Sequence, residues 1–186
     1  LSGDHIYKMD YQMMLDYHKS KNADITLATI NVPEEEASRF GVVLTDDQGT
    51  ITEFEEKPEH PRSTKASMGI YIFSWPVLRA ALTELSEQPA CDFGKHIIPY
   101  CHQNGKKICA YEYKGYWKDV GTLHSYWESN MELIDIIPEF NLYEEFWKIY
   151  TKSDVLPPQY ISDQSKVEGS IIGEGSEIYG EVYNSV

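Results

Sequence analysis

The sequence predicts an α/β fold, with helices packed on a mostly parallel sheet, followed by the start of a parallel β-helix. Two observations carry this. From residue 11 to about residue 135, short runs rich in branched apolar residues alternate with stretches of helical periodicity, the pattern of a layered α/β domain. Beyond the break at Pro157-Pro158, branched apolar residues recur six apart, Ile161 with Val167 and Ile172 with Ile178. Gly169, Gly173, Gly175 and Gly180 fill the gaps, and Val182 and Val186 fall off the strict spacing. Such hexapeptide spacing lets each short strand turn one branched side chain inward. One coil cannot bury its own core, so stacked neighbours are expected; a glycine-rich tail is the alternative. The domain boundary is placed at residue 150, with 151–186 as linker and first coils.

The elements follow in order. Tyr11, Met14, Leu15 and His18 form one helical stripe, with Asp10 as its cap. Ile25 to Ile30 is a continuous apolar run, read as a buried strand parallel to its neighbours. Pro33 and Glu34-Glu35-Glu36 suggest a short helical turn. Gly41 to Leu44 and Ile51 to Glu55 read as a hairpin around Asp46-Asp47-Gln48-Gly49, and Pro58 to Lys65 as a loop. Met68 to Phe73 is a strand. Leu78, Ala81, Leu82 and Leu85 make a helix, and Phe93, Ile97, Ile98 and Cys101 another, closed by Asn104-Gly105. Ile108 to Tyr113 alternates as a strand. Leu123, Tyr126, Trp127, Met131 and Ile134 mark what reads as the longest helix, ending before Pro138.

Composition narrows the function. Aromatic residues make up 13% of the chain, which excludes disorder as its main state. A net charge of −14, with basic residues no more clustered than Lys106-Lys107, argues against a nucleic-acid partner or a grip on an anionic membrane. No apolar run approaches the ~20 residues that span a bilayer. Cys91, Cys101 and Cys109 include no C-x-x-C pair, and all three are expected as small buried hydrophobes in a reducing, cytoplasmic setting.

Several clusters suit phosphate and sugar chemistry. Gly3-Asp4-His5 sits where a strand would end, if Leu1-Ser2 is its stub. A carboxylate there can hold Mg²⁺, which takes oxygen ligands. Glu55-Glu56-Lys57-Pro58 follows a strand: the lysine offers a compact charge to a phosphate, and the carboxylates can accept bonds from sugar hydroxyls. The Tyr116 to Thr122 run puts Asp119 between an aromatic pair and a glycine turn, just before a helix. Asp92, before Phe93-Gly94-Lys95, reads first as a helix cap. Among the histidines only His5 stands in a suggestive place. No G-x-S-x-G, Walker loop or H-E-x-x-H is present, and Gly173-Glu174-Gly175 lacks a third glycine, with Ile at 178.

Taken together, six runs carry a resemblance. They are Leu-Ser-Gly-Asp-His-Ile-Tyr-Lys at 1–8, Glu-Glu-Ala-Ser-Arg-Phe-Gly-Val at 35–42 and Phe-Glu-Glu-Lys-Pro at 54–58. The others are Ala-Ser-Met-Gly-Ile-Tyr-Ile-Phe at 66–73, Asp-Phe-Gly-Lys at 92–95 and Tyr-Trp-Lys-Asp-Val-Gly-Thr at 116–122. In this order they closely resemble the bacterial glucose-1-phosphate adenylyltransferases. The resemblance implies a Rossmann-like nucleotidyltransferase sheet with flanking helices, its N-terminal part lying before Leu1, and then a left-handed parallel β-helix. It implies transfer of an adenylyl group from ATP to glucose 1-phosphate, giving ADP-glucose and pyrophosphate for glycogen biosynthesis, with Mg²⁺ as cofactor. By motif, Asp4 and Asp119 would hold Mg²⁺. Gly41, Glu56, Lys57, Ser67 and Asp92 would bind glucose 1-phosphate, with Tyr71 and Trp117 lining the same pocket. Lys57 would meet the phosphate and Glu56 a glucose hydroxyl.

The family's glycine-rich ATP loop precedes the first residue here, so the chain is expected to be a piece of a longer, homotetrameric enzyme. The piece alone is expected not to turn over, and synthesis of ADP-glucose by the purified 186-residue chain would overturn that. Two other readings stay open. One is a transferase using another nucleoside triphosphate. The other is a non-catalytic regulatory subunit on the same fold, against which the presence of Asp4, Lys57 and Asp119 counts.

Overall fold

The structure, a computed structural model, describes residues 1–88, 90–152 and 154–186. Its first elements are β1 (His5–Tyr7), α1 (Tyr11–Ser20), β2 (Ile25–Asn31), α2 (Glu34–Ala37), β3 (Gly41–Thr45), β4 (Ile51–Glu56) and β5 (Lys65–Phe73). Then come α3 (Trp75–Glu84), a wide π-type turn (Phe93–Ile97), α4 (Ile98–Gln103), β6 (Ile108–Glu112), β7 (Trp117–Asp119) and α5 (Leu123–Met131). The last are a 3₁₀ turn (Glu132–Ile134), β8 (Tyr160–Ile161), β9 (Lys166–Glu168), β10 (Glu177–Ile178) and β11 (Glu181–Tyr183). No helix among the described residues is long and apolar enough to cross a membrane. The chain forms two compact units.

The first unit comprises Leu1–Gly3 and Met9–Lys114. It is built on a five-stranded sheet in the order β4-β3-β5-β2-β6. The sheet is mixed, not mostly parallel. Only β2 and β6 run parallel, while β2–β5, β3–β5 and β3–β4 are antiparallel. The first five residues of β2 are buried. A strand covered on both faces reads as a continuous apolar run whatever the direction of its neighbours, so the run marks burial and leaves direction open.

Helices cover both faces. On one, Ile25 and Leu27 of β2 join Val77 and Ala81 of α3, with Ile97, Ile98 and Cys101 behind them, in a single buried cluster. On the other, α1 buries Met14 and His18, and His18 Nδ1 lies 2.8 Å from the hydroxyl of Thr26 on β2. Asp10 caps α1 by accepting from the Gln12 N–H at 2.8 Å. Tyr11 and Leu82, both expected on core-facing stripes, are exposed. Val77, one residue before the stripe expected for α3, is buried instead. Cys101 and Cys109 are buried as expected, but Cys91 is exposed, because it lies in the connection before the π-type turn and not on a packed face.

The second unit comprises Asp4–Lys8 and Gly115–Val186. In it β1 pairs antiparallel with β7, His5 opposite Asp119 and Tyr7 opposite Trp117. Helix α5 starts in a capping box between Thr122 and Ser125. At nine residues it is not the longest helix, since α1 and α3 have ten. Its buried face is also not the apolar stripe: Ser125 and Ser129 are buried, whereas Leu123, Tyr126 and Trp127 are exposed. Residues four apart share one face of a helix, so Ser125 and Ser129 mark the face that α5 buries. Further on, β8 pairs parallel with β10 and β9 with β11. Ile161 lies opposite Ile178, and Val167 opposite Val182.

Candidate active site

Strand pairing brings two distant acids together. The β1–β7 register sets His5 against Asp119, and the Val120 N–H donates to the Asp4 carbonyl at 3.1 Å. Asp4 and Asp119, with more than a hundred residues between them in sequence, therefore share one corner of the second unit. One ligand-capable atom from each of Asp4, His5 and Asp119 lies within 4.8 Å of the other two. Leu1–Ser2, read as the stub of a strand, are not in a strand here, and β1 begins after Asp4, where its pairing with β7 begins.

Asp119 Oδ1 accepts from the Gly121 N–H at 2.9 Å, which fixes that oxygen. Gly121 packs against both acids. A Cβ there would lie 3.0 Å from Asp119 Oδ1, a tight contact, and 3.6 Å from Asp4 Oδ2, an ordinary one. Lys118, the residue before Asp119 on β7, points to the opposite face of the strand. Its ammonium meets Glu132 at 2.6 Å and Glu128 at 3.0 Å, staking β7 to α5 and the following turn. Tyr116 donates its hydroxyl to Glu132 at 2.6 Å. Between these anchors, Trp117 Nε1–H donates to His5 Nδ1 at 3.3 Å, with the two rings edge to face. Two carboxylates this close suit a hard divalent cation that takes oxygen donors.

The first unit holds a cavity of about 420 Å³. The C-terminal end of β4 supplies Glu56, alternate residues of β5 supply Gly69, Tyr71 and Phe73, and the π-type turn with its cap supplies Asp92, Phe93 and Gly94. Leu1, Ser2 and Leu78 complete the lining. Tyr71 and Phe93 stack with centroids 5.5 Å apart and planes 12° apart, and Phe73 leans on Phe93 at 5.8 Å. The lining thus combines aromatic rings with carboxylates, a composition that suits a polyhydroxylated ring with apolar C–H faces.

Glu56 is the most constrained group here. It lies opposite Gly41 in the β3–β4 ladder. A Cβ on Gly41 would come 2.8 Å from its Oε2, and a Cβ on Gly94 would overlap its carboxylate, 2.8 Å from Cδ. Burial, and then the charge of Asp92, push the Glu56 carboxyl above the usual range, against the pull of Lys57 and Lys95. Asp92 does cap its turn, accepting from the Lys95 N–H at 2.8 Å, and also lines the cavity. Burial pushes the Tyr71 hydroxyl up, while its bond with Ser67 acts the other way. Ser67 itself is buried.

Lys57 is exposed. Its N–H donates to the Phe40 carbonyl at 3.2 Å and its backbone sits at φ +49°. A left-handed conformation at a non-glycine residue costs about 1–3 kcal/mol and concentrates at ligand-binding sites.

Of the expected residues, then, Asp4 and Asp119 meet in the second unit, where Trp117 also lies. Glu56, Tyr71 and Asp92 line the first unit's cavity, with Gly41 and Ser67 packed against Glu56 and Tyr71 respectively. Sequence reasoning gave no pocket role to Phe93 and Gly94. Phe93 reads as a helix-stripe residue by periodicity, and nothing local announces that Gly94 abuts a side chain from a distant strand. The third member of the acidic corner, His5, was signalled only by its place beside Asp4.

The chain belongs to the nucleotidyl transferase family, whose sequence model matches residues 1–136. It is 73% identical over 186 residues to the glucose-1-phosphate adenylyltransferase of Lachnospira eligens, an alignment spanning all of this chain and 44% of that protein. Glucose-1-phosphate adenylyltransferases of Acetivibrio thermocellus and Clostridium perfringens are 55% and 54% identical over the whole chain, with 44% and 48% of their own lengths covered. The chain thus spans somewhat under half of the curated relatives it matches.

Proposed function

We propose that this chain carries the sugar-phosphate and cation-binding portion of an enzyme that transfers an adenylyl group from ATP to glucose 1-phosphate. The reading is supported most by one observation: in a member of the nucleotidyl transferase family, the β1–β7 ladder holds the carboxylates of Asp4 and Asp119 in one corner. A phosphate oxygen of glucose 1-phosphate attacks the α-phosphorus of ATP. That P–O bond forms as the bond to the β-phosphate breaks, and pyrophosphate leaves in line. No covalent enzyme intermediate is needed, so the protein's part is positioning and charge stabilisation.

In this reading Asp4 and Asp119 hold Mg²⁺, which when bound neutralises charge on the phosphates. Lys57 binds the sugar phosphate as a compact charge, and Glu56 accepts from a glucose hydroxyl. Gly41 leaves room for the Glu56 carboxylate, while Ser67 and Asp92 shape the pocket. The strong identity to proteins named for this reaction favours ATP over other nucleotides. The presence of Asp4, Lys57 and Asp119 favours a catalytic chain over a non-catalytic subunit.

The parallel pairs β8–β10 and β9–β11 support residues 151–186 being a linker and the first coils of a left-handed hexapeptide-repeat β-helix, after a catalytic portion over 1–150. A role in glycogen biosynthesis, a cytoplasmic setting and a homotetrameric complete enzyme follow from the same reading. The test is Asp119→Ala in the complete enzyme. Mg²⁺-dependent formation of ADP-glucose should fall by a factor of ~100 or more, as when a charge-stabilising group is removed, while circular dichroism stays unchanged. Near-normal turnover would remove Asp119 from the site.

A further inference from the structure

Resting on the cation reading above, we infer that His5 is not a third ligand to the ion. It is a positioning residue, locked by Trp117 as the tautomer whose Nε2–H faces Asp4 and Asp119. The indole N–H of tryptophan can only donate. It points at His5 Nδ1 from 3.3 Å, so Nδ1 must accept, and a neutral ring then carries its proton on Nε2. The imidazole has little freedom to escape this. Its side chain is 11% exposed, and it meets the Trp117 ring at 90° with centroids 5.1 Å apart.

From that position Nε2 lies 3.6 Å from Asp4 Oδ1 and 3.8 Å from Asp119 Oδ1. Both distances exceed a direct hydrogen bond. The N–H dipole therefore faces the two carboxylates together, without adding a full positive charge that would repel a cation. A histidine that ligates a metal shows the reverse arrangement. It offers a bare nitrogen to the ion and donates its other N–H to a carboxylate, carbonyl or water. Here the far nitrogen faces a donor. For His5 to ligate through Nε2 its proton would have to move to Nδ1, and two N–H groups would then confront each other. The oxygens of Asp4 and Asp119 are left as the ion's protein ligands, and Trp117 acquires a role through its indole nitrogen.

The experiment is a long-range ¹H–¹⁵N correlation spectrum of the ¹⁵N-labelled 186-residue chain at pH 8, without and with Mg²⁺. The imidazole nitrogens report the tautomer directly. The expected spectrum has Nε2 protonated and Nδ1 bare, unchanged by Mg²⁺. In Trp117→Phe, which keeps a ring but removes the donor, the signals should move to a mixture of both tautomers. Three results would overturn the inference: an Nδ1–H ring in the metal-free chain, conversion of Nε2 to a ligating nitrogen on adding Mg²⁺, or an unchanged tautomer in Trp117→Phe. If that variant fails to fold, the unsubstituted chain's spectra decide alone. Mg²⁺ that leaves the signals of Asp4 and Asp119 unmoved would count against the cation reading, while the metal-free tautomer still judges the role of His5.

Discussion

Glu56 ends β4 with its carboxylate packed between two glycines, half-buried and beside Asp92. Nothing about stability calls for an ionisable group there. Burial first, and then Asp92, raise its folded pKa above the unfolded value. When both states are protonated at low pH, the group costs nothing. As pH rises through the folded pKa, the folded state must accommodate a charge it disfavours, and stability is lost. Glu56→Gln removes that loss. Melting temperatures of the two chains should therefore converge near pH 4, with the glutamine variant melting higher at pH 8. A variant that melts lower at pH 8 would mean the carboxylate is stabilising and the assigned cause of the shift is wrong. Lys57 makes a parallel case, since its left-handed backbone is a local cost at the residue proposed to meet the phosphate.

At the scale of elements, the π-type turn and β4 are fitted to each other through Gly94. Its α-carbon abuts the Glu56 carboxylate so closely that a methyl group there would have to push the carboxylate aside. Overpacking of this kind typically costs about 1–3 kcal/mol, and in a chain of this size each kcal/mol lowers Tm by roughly 2–4 °C. Gly94→Ala should show such a drop, and the drop should largely vanish in a Glu56→Ala background, where the clashing group is gone. An equal cost in both backgrounds would place the strain elsewhere. Element boundaries were largely legible because their signals are local: Asp10 capping α1, Asn104-Gly105 ending α4, Asp46 to Gly49 turning the β3–β4 hairpin. What β2 pairs with, and which face α5 buries, were not. Burial on both faces conceals strand direction, and the Ser125–Ser129 face carries no hydrophobic signal.

For the whole molecule, a charge of −14 sits oddly with the anionic substrates proposed above, yet charges beyond ~8 Å are largely screened at physiological salt. Local arrangement therefore decides what binds. The candidate site was legible as motifs, since Gly3-Asp4-His5, Glu56-Lys57 and the Trp117 to Gly121 run each announce their residue types. It was not legible as geometry. Only the β1–β7 register makes neighbours of Asp4 and Asp119, and no local pattern encodes that pairing. Paramagnetic broadening of backbone amide signals by Mn²⁺, a stand-in for Mg²⁺, tests the pairing of the two acids directly in the 186-residue chain. If they hold the ion together, broadening should centre on residues 4, 5 and 119–121 and be lost in both Asp4→Asn and Asp119→Asn. Broadening centred on other acidic stretches such as Glu34–Glu36, or unaffected by either substitution, would contradict it.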